Sequence, residues 1–189
     1  MKAYSLSSQN ISNYLSSGCV VHNITKNLNY FITLIPEIQS MIGFNHKHPH
    51  HHLDVWEHTL EVIRKLNTLD LELNTAALFH DIGKPFCYQE GEVRHFYGHP
   101  KVSEKIARQT LLKLEFDSDF IDRVSYLVKT HDTPINPKQL DNDLELIRKR
   151  LQLQYADAKS HHPAKVEQRI KKLDSIAHML NIEIWRYLN

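Results

Sequence analysis

The stretch LDVWEHTLEVIRKLNTLDLELNTAALFHDIGK, residues 53–84, determines the fold that the sequence predicts. Asp54 followed three residues later by Glu57 forms the pattern of a capping box, which predicts that a helix starts here. A shorter and more apolar helix is predicted next, and it ends at Gly83 because glycine is typical just after a helix. The stretch therefore predicts two consecutive helices, the second of which ends in an adjacent histidine–aspartate pair.

Helical spacing of apolar residues continues outward from this stretch, while the alternation typical of strands is scarce. Between residues 86 and 97 the helical pattern lapses, and we expect either a short hairpin or an irregular loop there. These patterns predict an all-α single domain, residues 1–189, with roughly seven to nine helices. The predicted helices cover residues 6–15, 24–41 with a break near Pro36, 54–69, 73–82, 100–114, 117–130, 143–160 and 163–188.

The composition excludes several classes of protein. Of 189 residues, 41% are hydrophobic and 24% charged, which is typical of one globular domain and of neither a disordered nor a fibrous chain. The formal net charge of +1 gives no support to a nucleic-acid partner, although it does not exclude a local basic patch that binds one. No apolar run approaches the length of about 18 residues that a membrane span requires, and we find no signal-peptide pattern. Only two cysteines occur, Cys19 and Cys87, so we expect a cytoplasmic protein without a disulfide framework.

Histidine is unusually frequent, at 14 residues, which makes a metal site the first functional question. For any one buried histidine, a hydrogen bond to a backbone carbonyl is the simpler interpretation. A divalent cation accounts for several buried residues together, because neutral imidazoles and carboxylates are its ligands and an unpaired carboxylate is costly in a core. Six such residues fall at helical spacing from apolar ones and are predicted to face the core: His58, His80, Asp81, His99, His131 and Asp157.

A second group of histidines occupies the segment before the first of the two central helices. Five of its seven residues from position 46 to position 52 are histidine. We interpret His46 and His48 as part of a solvated loop that binds metal only incidentally. His51 is predicted to lie close to a substrate, because the segment leads directly into the helix that carries His58. Four further histidines are interpreted as surface or ordinary core residues: His22, His161, His162 and His178.

The order His58, His80-Asp81 and Asp157 resembles the HD superfamily of metal-dependent phosphohydrolases, which takes its name from the adjacent pair. The flanking sequence is more specific, and it resembles the HD region of bacterial CCA-adding tRNA nucleotidyltransferases over about residues 30–160. The resemblance implies an all-helical HD bundle and a metal-dependent hydrolase. The stretches that carry it are HHLDVWEHTL at 51–60, AALFHDIGK at 76–84, YGH at 97–99 and THD at 130–132.

The resemblance also implies how the six core-facing residues are used. One divalent cation, whose identity among Fe, Mn, Ni, Co, Mg and Zn stays open, would be held by His58, His80, Asp81 and Asp157. His99 and His131 match the positions that hold a second cation, with Asp81 bridging the two. Alternatively, His99 and His131 contact a substrate phosphate beside a single cation.

These features predict a phosphohydrolase that cleaves a phosphomonoester or phosphodiester, with a nucleotide or cyclic nucleotide as the expected substrate. Asp81 is the predicted catalytic carboxylate. Lys84 is predicted to act in catalysis by binding a substrate phosphate. Alternatively, a lysine at the C-terminal end of a helix interacts favourably with the helix dipole. His51, His99 and His131 are predicted substrate contacts as well. The alternative is a module that binds a nucleotide or RNA around its metal without turnover, and a dinucleoside polyphosphate hydrolase would share the same metal pattern.

Sequence features around the site refine this expectation. The sequence lacks the paired-carboxylate, glycine-containing motif of a nucleotidyltransferase head, so we do not expect nucleotide transfer to tRNA. It also lacks the GYP tripeptide of cyclic-di-nucleotide phosphodiesterases, which disfavours that substrate. Arg94 and His95 are expected to form a lid over the site, and Asp132 to orient a ligand histidine. Trp56 is interpreted as a core residue, and Lys159 as a solvated lysine.

Overall fold

The computed structural model describes residues 6–47, 53–137, 143–161 and 163–183. Within these ranges the chain forms ten α-helices, one short 3₁₀ helix at Lys84–Phe86 and no β-strand. The predicted all-α fold is confirmed, with one helix more than the upper end of the expected range. The α-helices are α1 Leu6–Leu15, α2 Val20–Lys26, α3 Leu28–Leu34, α4 Ile38–Met41, α5 Val55–Leu66, α6 Leu71–Phe79, α7 His99–Lys113, α8 Ser118–Thr130, α9 Leu144–Lys159 and α10 Pro163–Met179.

The difference in helix number arises near the N-terminus, where we predict one helix over residues 24–41 with a break near Pro36. The structure has three short helices in this region because the chain leaves helical geometry at Asn27 (φ −111°, ψ 28°) and at Ile35 (φ −133°, ψ 76°). Ile35 precedes Pro36, and the residue before a proline is sterically disfavoured in the α region. Proline thus ends α3 as the sequence indicates, whereas the break at Asn27 has no comparable signal.

Helix α5 begins with the predicted capping box. The Asp54 side chain accepts a hydrogen bond from the Glu57 amide at 2.7 Å, and the Glu57 side chain accepts one from the Asp54 amide at 3.1 Å. The helix ends at Leu66, slightly earlier than predicted, because Asn67 adopts a left-handed conformation (φ 41°) that closes it. The apolar face of α5 is buried, and α5 packs against α6 and α9, so His58 is held in the interior.

Helix α6 is the central helix of the fold. Its residues 73–79 are all buried, which is typical of a helix surrounded by others. It packs against α1, α5, α7, α8 and α9. Because α6 runs into the core, the residues that continue it, His80 and Asp81, are at most 1% exposed. The fold thus places the histidine–aspartate pair where side chains from four neighbouring helices can reach it.

The other helices enclose this pair. Helices α7 and α8 pack against each other, and α10 packs on α9 over a small second core that includes Leu151 and Leu173. Before α7, an isolated antiparallel bridge joins Gln89 and His95 through amide–carbonyl hydrogen bonds of 2.8 and 3.2 Å. This bridge is the shortest form of the hairpin that we considered. Among the helices of the described ranges, none has both the length and the apolar character of a membrane span.

Candidate metal centre

Six buried side chains from five helical elements converge at the C-terminal end of α6. All six were predicted to face the core, and each is at most 9% exposed. One side chain comes from each of α5, α7, α8 and α9, and two come from the end of α6. In chain order they are His58, His80, Asp81, His99, His131 and Asp157.

The first group of donor atoms faces Oδ2 of Asp81. His80 Nε2 lies 3.3 Å and His58 Nε2 3.7 Å from this oxygen. His58 Nε2 also lies 3.0 Å from Oδ1 of Asp157, which α9 brings in from the opposite side. One donor atom each from His58, His80 and Asp81 lies within 4.8 Å of the others, so these three could hold a metal ion.

The second group of donor atoms faces the other oxygen of Asp81. His99 Nε2 lies 3.2 Å and His131 Nε2 3.7 Å from Oδ1 of Asp81. The two Nε2 atoms lie 3.2 Å from each other. One donor atom each from Asp81, His99 and His131 also lies within 4.8 Å of the others, so these three could hold a metal ion as well. Asp81 is therefore shared between two groups, with a different oxygen facing each.

Backbone hydrogen bonds fix the orientation of three imidazoles. His80, His99 and His131 each place Nδ1 near the carbonyl oxygen three residues earlier, at 2.7, 3.0 and 2.7 Å. A carbonyl only accepts, so Nδ1 carries a proton, and in the neutral imidazole the lone pair of Nε2 faces Asp81. Lone pairs that converge on a carboxylate repel one another unless a cation or protons lie between them. This donor set fits a divalent metal ion.

The buried carboxylates are held in the ionised form that a metal requires. Burial alone would raise the pKa of Asp81, but His80 and Lys84 hold the pKa of this carboxyl well below its ordinary value of 3.8. Burial would likewise raise the pKa of Asp157. The nearby positive charges, of which Arg169 has the strongest effect, instead hold the pKa of Asp157 well below 3.8. Arg169 Nη2 lies 2.8 Å from Oδ2 of Asp157. Both carboxyls therefore stay charged at neutral pH.

Burial acts in the opposite direction on the imidazoles. It lowers the pKa of His58 and of His131, which favours the neutral form that serves as a metal ligand. His80 differs: burial lowers its pKa too, but the charge and hydrogen bonding of Asp81, together with the charge of Asp157, raise the pKa of His80 overall. Nε2 of His80 is buried and forms no hydrogen bond to any described residue. A cation at this atom would replace the missing partner.

Lys84 and His46 adjoin the first group of donors. Lys84 is buried, and its Nζ lies 2.7 Å from Oδ2 of Asp81 and 3.1 Å from Nε2 of His46. Our interpretation of His46 as a solvated loop residue is wrong, because this side chain is 0% exposed. Burial and the Lys84 ammonium lower the pKa of His46 to about 2, so its imidazole is neutral. The predictions for His48 and His51 concern positions outside the described residues.

Two residues near Asp157 also escaped the sequence analysis. His161 is half-buried, and with His58 and Asp157 it forms a third group whose donor atoms lie within 4.8 Å of one another. Its Nδ1 donates to the carbonyl oxygen of Asp157 at 2.8 Å. His161 follows Asp157 by four residues, just beyond the end of α9, and this helical spacing was a usable signal for it. Arg169 lies on another helix, and the sequence has no signal for its contact with Asp157.

An open pocket of about 340 Å³ adjoins the donors. Arg94 is held in its wall by Glu90 at 2.9 Å and by the carbonyl oxygen of Asn45 at 2.6 Å. The rings of His95 and Tyr97 stack at 5.3 Å with an angle of 17°, and both are exposed. We expected Arg94 and His95 to form a lid over the site, and the structure places both in the lining of this open pocket. The lining residues are Lys84, Arg94, His95, Phe96, Tyr97, Gly98, His99 and Asp132.

The fold and the site define a class of all-helical proteins whose buried histidines and aspartates converge on a shared carboxylate. The family model of the HD domain matches residues 55–178, and the chain belongs to this family.

Two curated relatives share part of the sequence. The chain is 41% identical over 105 residues to the CC-adding tRNA nucleotidyltransferase of Thermus thermophilus, an alignment that covers 51% of this chain and 24% of the relative. It is 38% identical over 88 residues to the A-adding tRNA nucleotidyltransferase of Deinococcus radiodurans, over 43% of this chain and 20% of the relative. The chain thus matches a quarter or less of the length of these relatives, and the predicted resemblance is confirmed.

Proposed function

We propose that this protein is a divalent-metal-dependent phosphohydrolase that cleaves phosphomonoesters or phosphodiesters, with nucleotides or cyclic nucleotides as substrates. The observation that carries the proposal is the position of Asp81, whose two oxygens face two separate groups of imidazole donors beside an open pocket. Membership of the HD domain family supports it.

The first cation would be held by His58, His80, Asp81 and Asp157, and a second by Asp81 with His99 and His131. Bound cations supply Lewis acidity, which lowers the pKa of water and neutralises charge on phosphate oxygens. The protein holds the donors in place through the buried hydrogen bonds described above. Since both carboxyls stay ionised at neutral pH, neither has to lose a proton when a cation binds.

Lys84 would bind a phosphate oxygen of the substrate. Its ammonium is buried next to Asp81, and the residue also lines the pocket, so a substrate in the pocket meets a positive charge beside the donors. An ammonium acts on a phosphate as a point charge, which suits phosphomonoesters and phosphodiesters alike. The helix-end role of this lysine does not require such burial, which favours the phosphate role.

The exposed stacked rings of His95 and Tyr97 support a substrate that carries a base. They lie at the rim of the pocket, where an aromatic face can stack on a nucleobase. Both relatives are named as tRNA nucleotidyltransferases, which supports a nucleotide or an RNA terminus as the substrate class. A module that binds such a ligand without turnover is the alternative, and the same experiment separates the two.

The test starts from protein purified without a histidine tag or added metal, analysed for bound elements and then assayed. Substrates are a phosphomonoester, a phosphodiester, cyclic mononucleotides and a dinucleoside polyphosphate, each with Mn²⁺, Ni²⁺, Co²⁺, Mg²⁺ or Zn²⁺. We expect turnover that a chelator abolishes and a metal restores. Asp81→Asn should reduce both bound metal and turnover by more than about 100-fold, because even indirect partners of a metal contribute 10- to 100-fold.

Asp119→Asn is the matched control, since Asp119 is exposed on α8. It should keep metal and turnover, and circular dichroism should show unchanged helix content for both variants. Tight binding of metal and nucleotide without turnover of any substrate would contradict the proposal and favour the binding module.

A further inference from the structure

We infer that His46 is a positioning residue that directs the ammonium of Lys84 into the pocket as a phosphate contact. The inference rests on the proposed role of Lys84. His46 lies between α4 and α5, upstream of the residues 55–178 that the family model matches. It is 0% exposed, and its ring is in edge contact with Phe96 at 5.7 Å, a residue of the pocket wall.

The tautomer of His46 follows from the partners of its two ring nitrogens. Nδ1 lies 3.1 Å from the carbonyl oxygen of Leu53, which only accepts, so Nδ1 carries the proton. Nε2 is therefore an acceptor, and it lies 3.1 Å from Nζ of Lys84, which only donates. The backbone at Leu53 thus makes His46 a neutral acceptor aimed at the ammonium.

The Lys84 ammonium has two close partners in the described structure. Its Nζ forms a hydrogen bond with Nε2 of His46 at 3.1 Å and an ion pair with Oδ2 of Asp81 at 2.7 Å. Two fixed partners in different directions restrict where the ammonium lies, which a flexible lysine chain cannot do alone. Because Lys84 lines the pocket, an N–H of the ammonium remains for a ligand there.

The neutral charge of His46 matters for this role. Asp81 Oδ2 also faces His58 and His80, so a cation at that group shares the oxygen with Lys84 and repels the ammonium. An imidazole acceptor keeps the ammonium in place against this repulsion. It adds no negative charge, so the positive charge of Lys84 stays available to an anion. A carboxylate at the same position would neutralise it.

The experiment compares His46→Leu, which removes the acceptor at similar volume, with His46→Gln, whose amide oxygen restores one. The primary measurement is the Kd of inorganic phosphate by calorimetry on protein with its metal content recorded, which does not depend on turnover. His46→Leu should weaken phosphate binding about 10-fold, the size of effect typical of an indirect partner, with bound metal unchanged. His46→Gln should recover part of the loss, and His22→Leu, at an exposed histidine of α2, should change nothing.

Coupling to Lys84 separates positioning from a general structural role. With Lys84→Met already present, adding His46→Leu should weaken phosphate binding no further. An equal loss in both backgrounds, an unchanged Kd in His46→Leu, or wild-type protein that binds no phosphate would each overturn the inference. Where His46→Leu does not fold, His46→Gln and His46→Asn give the comparison. Absence of turnover in wild-type protein contradicts only the proposed function, because the phosphate measurement stands without it.

Discussion

Asp81 presents a different carboxylate oxygen to each of two groups of imidazole donors. A carboxylate offers two oxygens, and here each faces its own pair of imidazoles rather than a common one. His99 and His131 would have no ligand role if only the first group bound metal. Their Nε2 atoms, 3.2 Å apart, nevertheless converge on Oδ1.

We therefore predict two bound cations in the wild-type protein. Metal titration followed by calorimetry should give two equivalents, whereas His99→Ala and His131→Ala should each give one, because each removes a donor from the second group only. His178→Ala, at an exposed histidine of α10, serves as the control and should keep two. If wild type binds a single equivalent and both variants retain it but lose turnover, the two histidines are phosphate contacts instead.

Arg169 is predicted to support the first cation through Asp157. Its guanidinium contacts Oδ2 of Asp157 at 2.8 Å, which leaves Oδ1 directed at His58. Arg169→Met should lower metal affinity about 10-fold, because Asp157 would lose the contact that orients its carboxylate. The variant also removes a positive charge near the cation, but Asp157 already neutralises that charge, so we expect its effect to be smaller. Lys172→Met, an exposed cation three residues later on α10, should leave affinity unchanged in the same titration. Equal affinity for both variants would show that Asp157 does not depend on Arg169.

At the residue scale, the sequence was most informative where a polar residue interrupts an apolar helix face. All six residues selected in this way are buried and converge, because the face of an amphipathic helix determines which side chains reach the core. His46 could not be recognised, since it lies outside any helix and its contacts with the Leu53 carbonyl and the Lys84 ammonium have no signal in the sequence. Arg169 was missed for the same reason, as only the packing of α10 on α9 brings it to Asp157.

Among the elements, the connection from α6 to α7 controls how the two donor groups are spaced. A Cβ atom on Gly83 would lie 2.7 Å from the amide nitrogen of Ser103 and 2.8 Å from the carbonyl oxygen of His99. Both are backbone atoms of α7, so glycine is required here for space rather than for an unusual φ angle. The Gly83 amide also donates to Oγ of Ser103 at 2.9 Å, which fixes α7 against the end of α6.

Gly83→Ala is therefore predicted to push α7 away from α6. We expect a loss of about 1–3 kcal/mol in the free energy of unfolding, the usual range for overpacking, measured by urea denaturation. Affinity for the second cation should fall more than affinity for the first, because His99 moves with α7 while His58 and His80 do not. Gly18→Ala has nothing within 4 Å of the added methyl group and is the control. Equal loss at both metal sites would contradict a local displacement of α7.

Helix positions were predictable to within a few residues where a cap or a proline marks an end, as at Asp54 and Pro36. They were not predictable where the chain bends without such a residue, as at Asn27. The all-α class followed from apolar spacing alone, whereas the order in which helices pack on α6 did not. Local sequence determines which residues form a helix and which face is apolar, but several packing arrangements bury the same faces.

For the whole molecule, the buried carboxylates link stability to pH. The folded-state pKa of Asp157 lies well below its ordinary value of 3.8. A lowered pKa stabilises the folded state at pH values above the unfolded-state pKa, and this stabilisation is lost as the pH falls toward the folded-state pKa. We predict that the free energy of unfolding of metal-free protein decreases progressively below about pH 5.

Asp157→Asn should flatten this decrease in urea denaturation measured between about pH 5 and pH 3, because the amide does not titrate. Asp119→Asn, at an exposed position, should keep the wild-type slope. A variant with Asn at position 157 that loses stability as steeply as wild type would show that Asp157 contributes nothing to the pH dependence.

The contact between His58 and Asp157 joins residues 99 positions apart, and Arg169 lies further along still. During translation the chain emerges from the ribosome with its N-terminal end first. The earlier donors thus reach the cellular environment while the carboxylate that completes their site is still being synthesised. Under the proposed metal assignment, the first group would therefore gain its fourth donor only after α9 has been synthesised, whereas Asp81, His99 and His131 are all present before it.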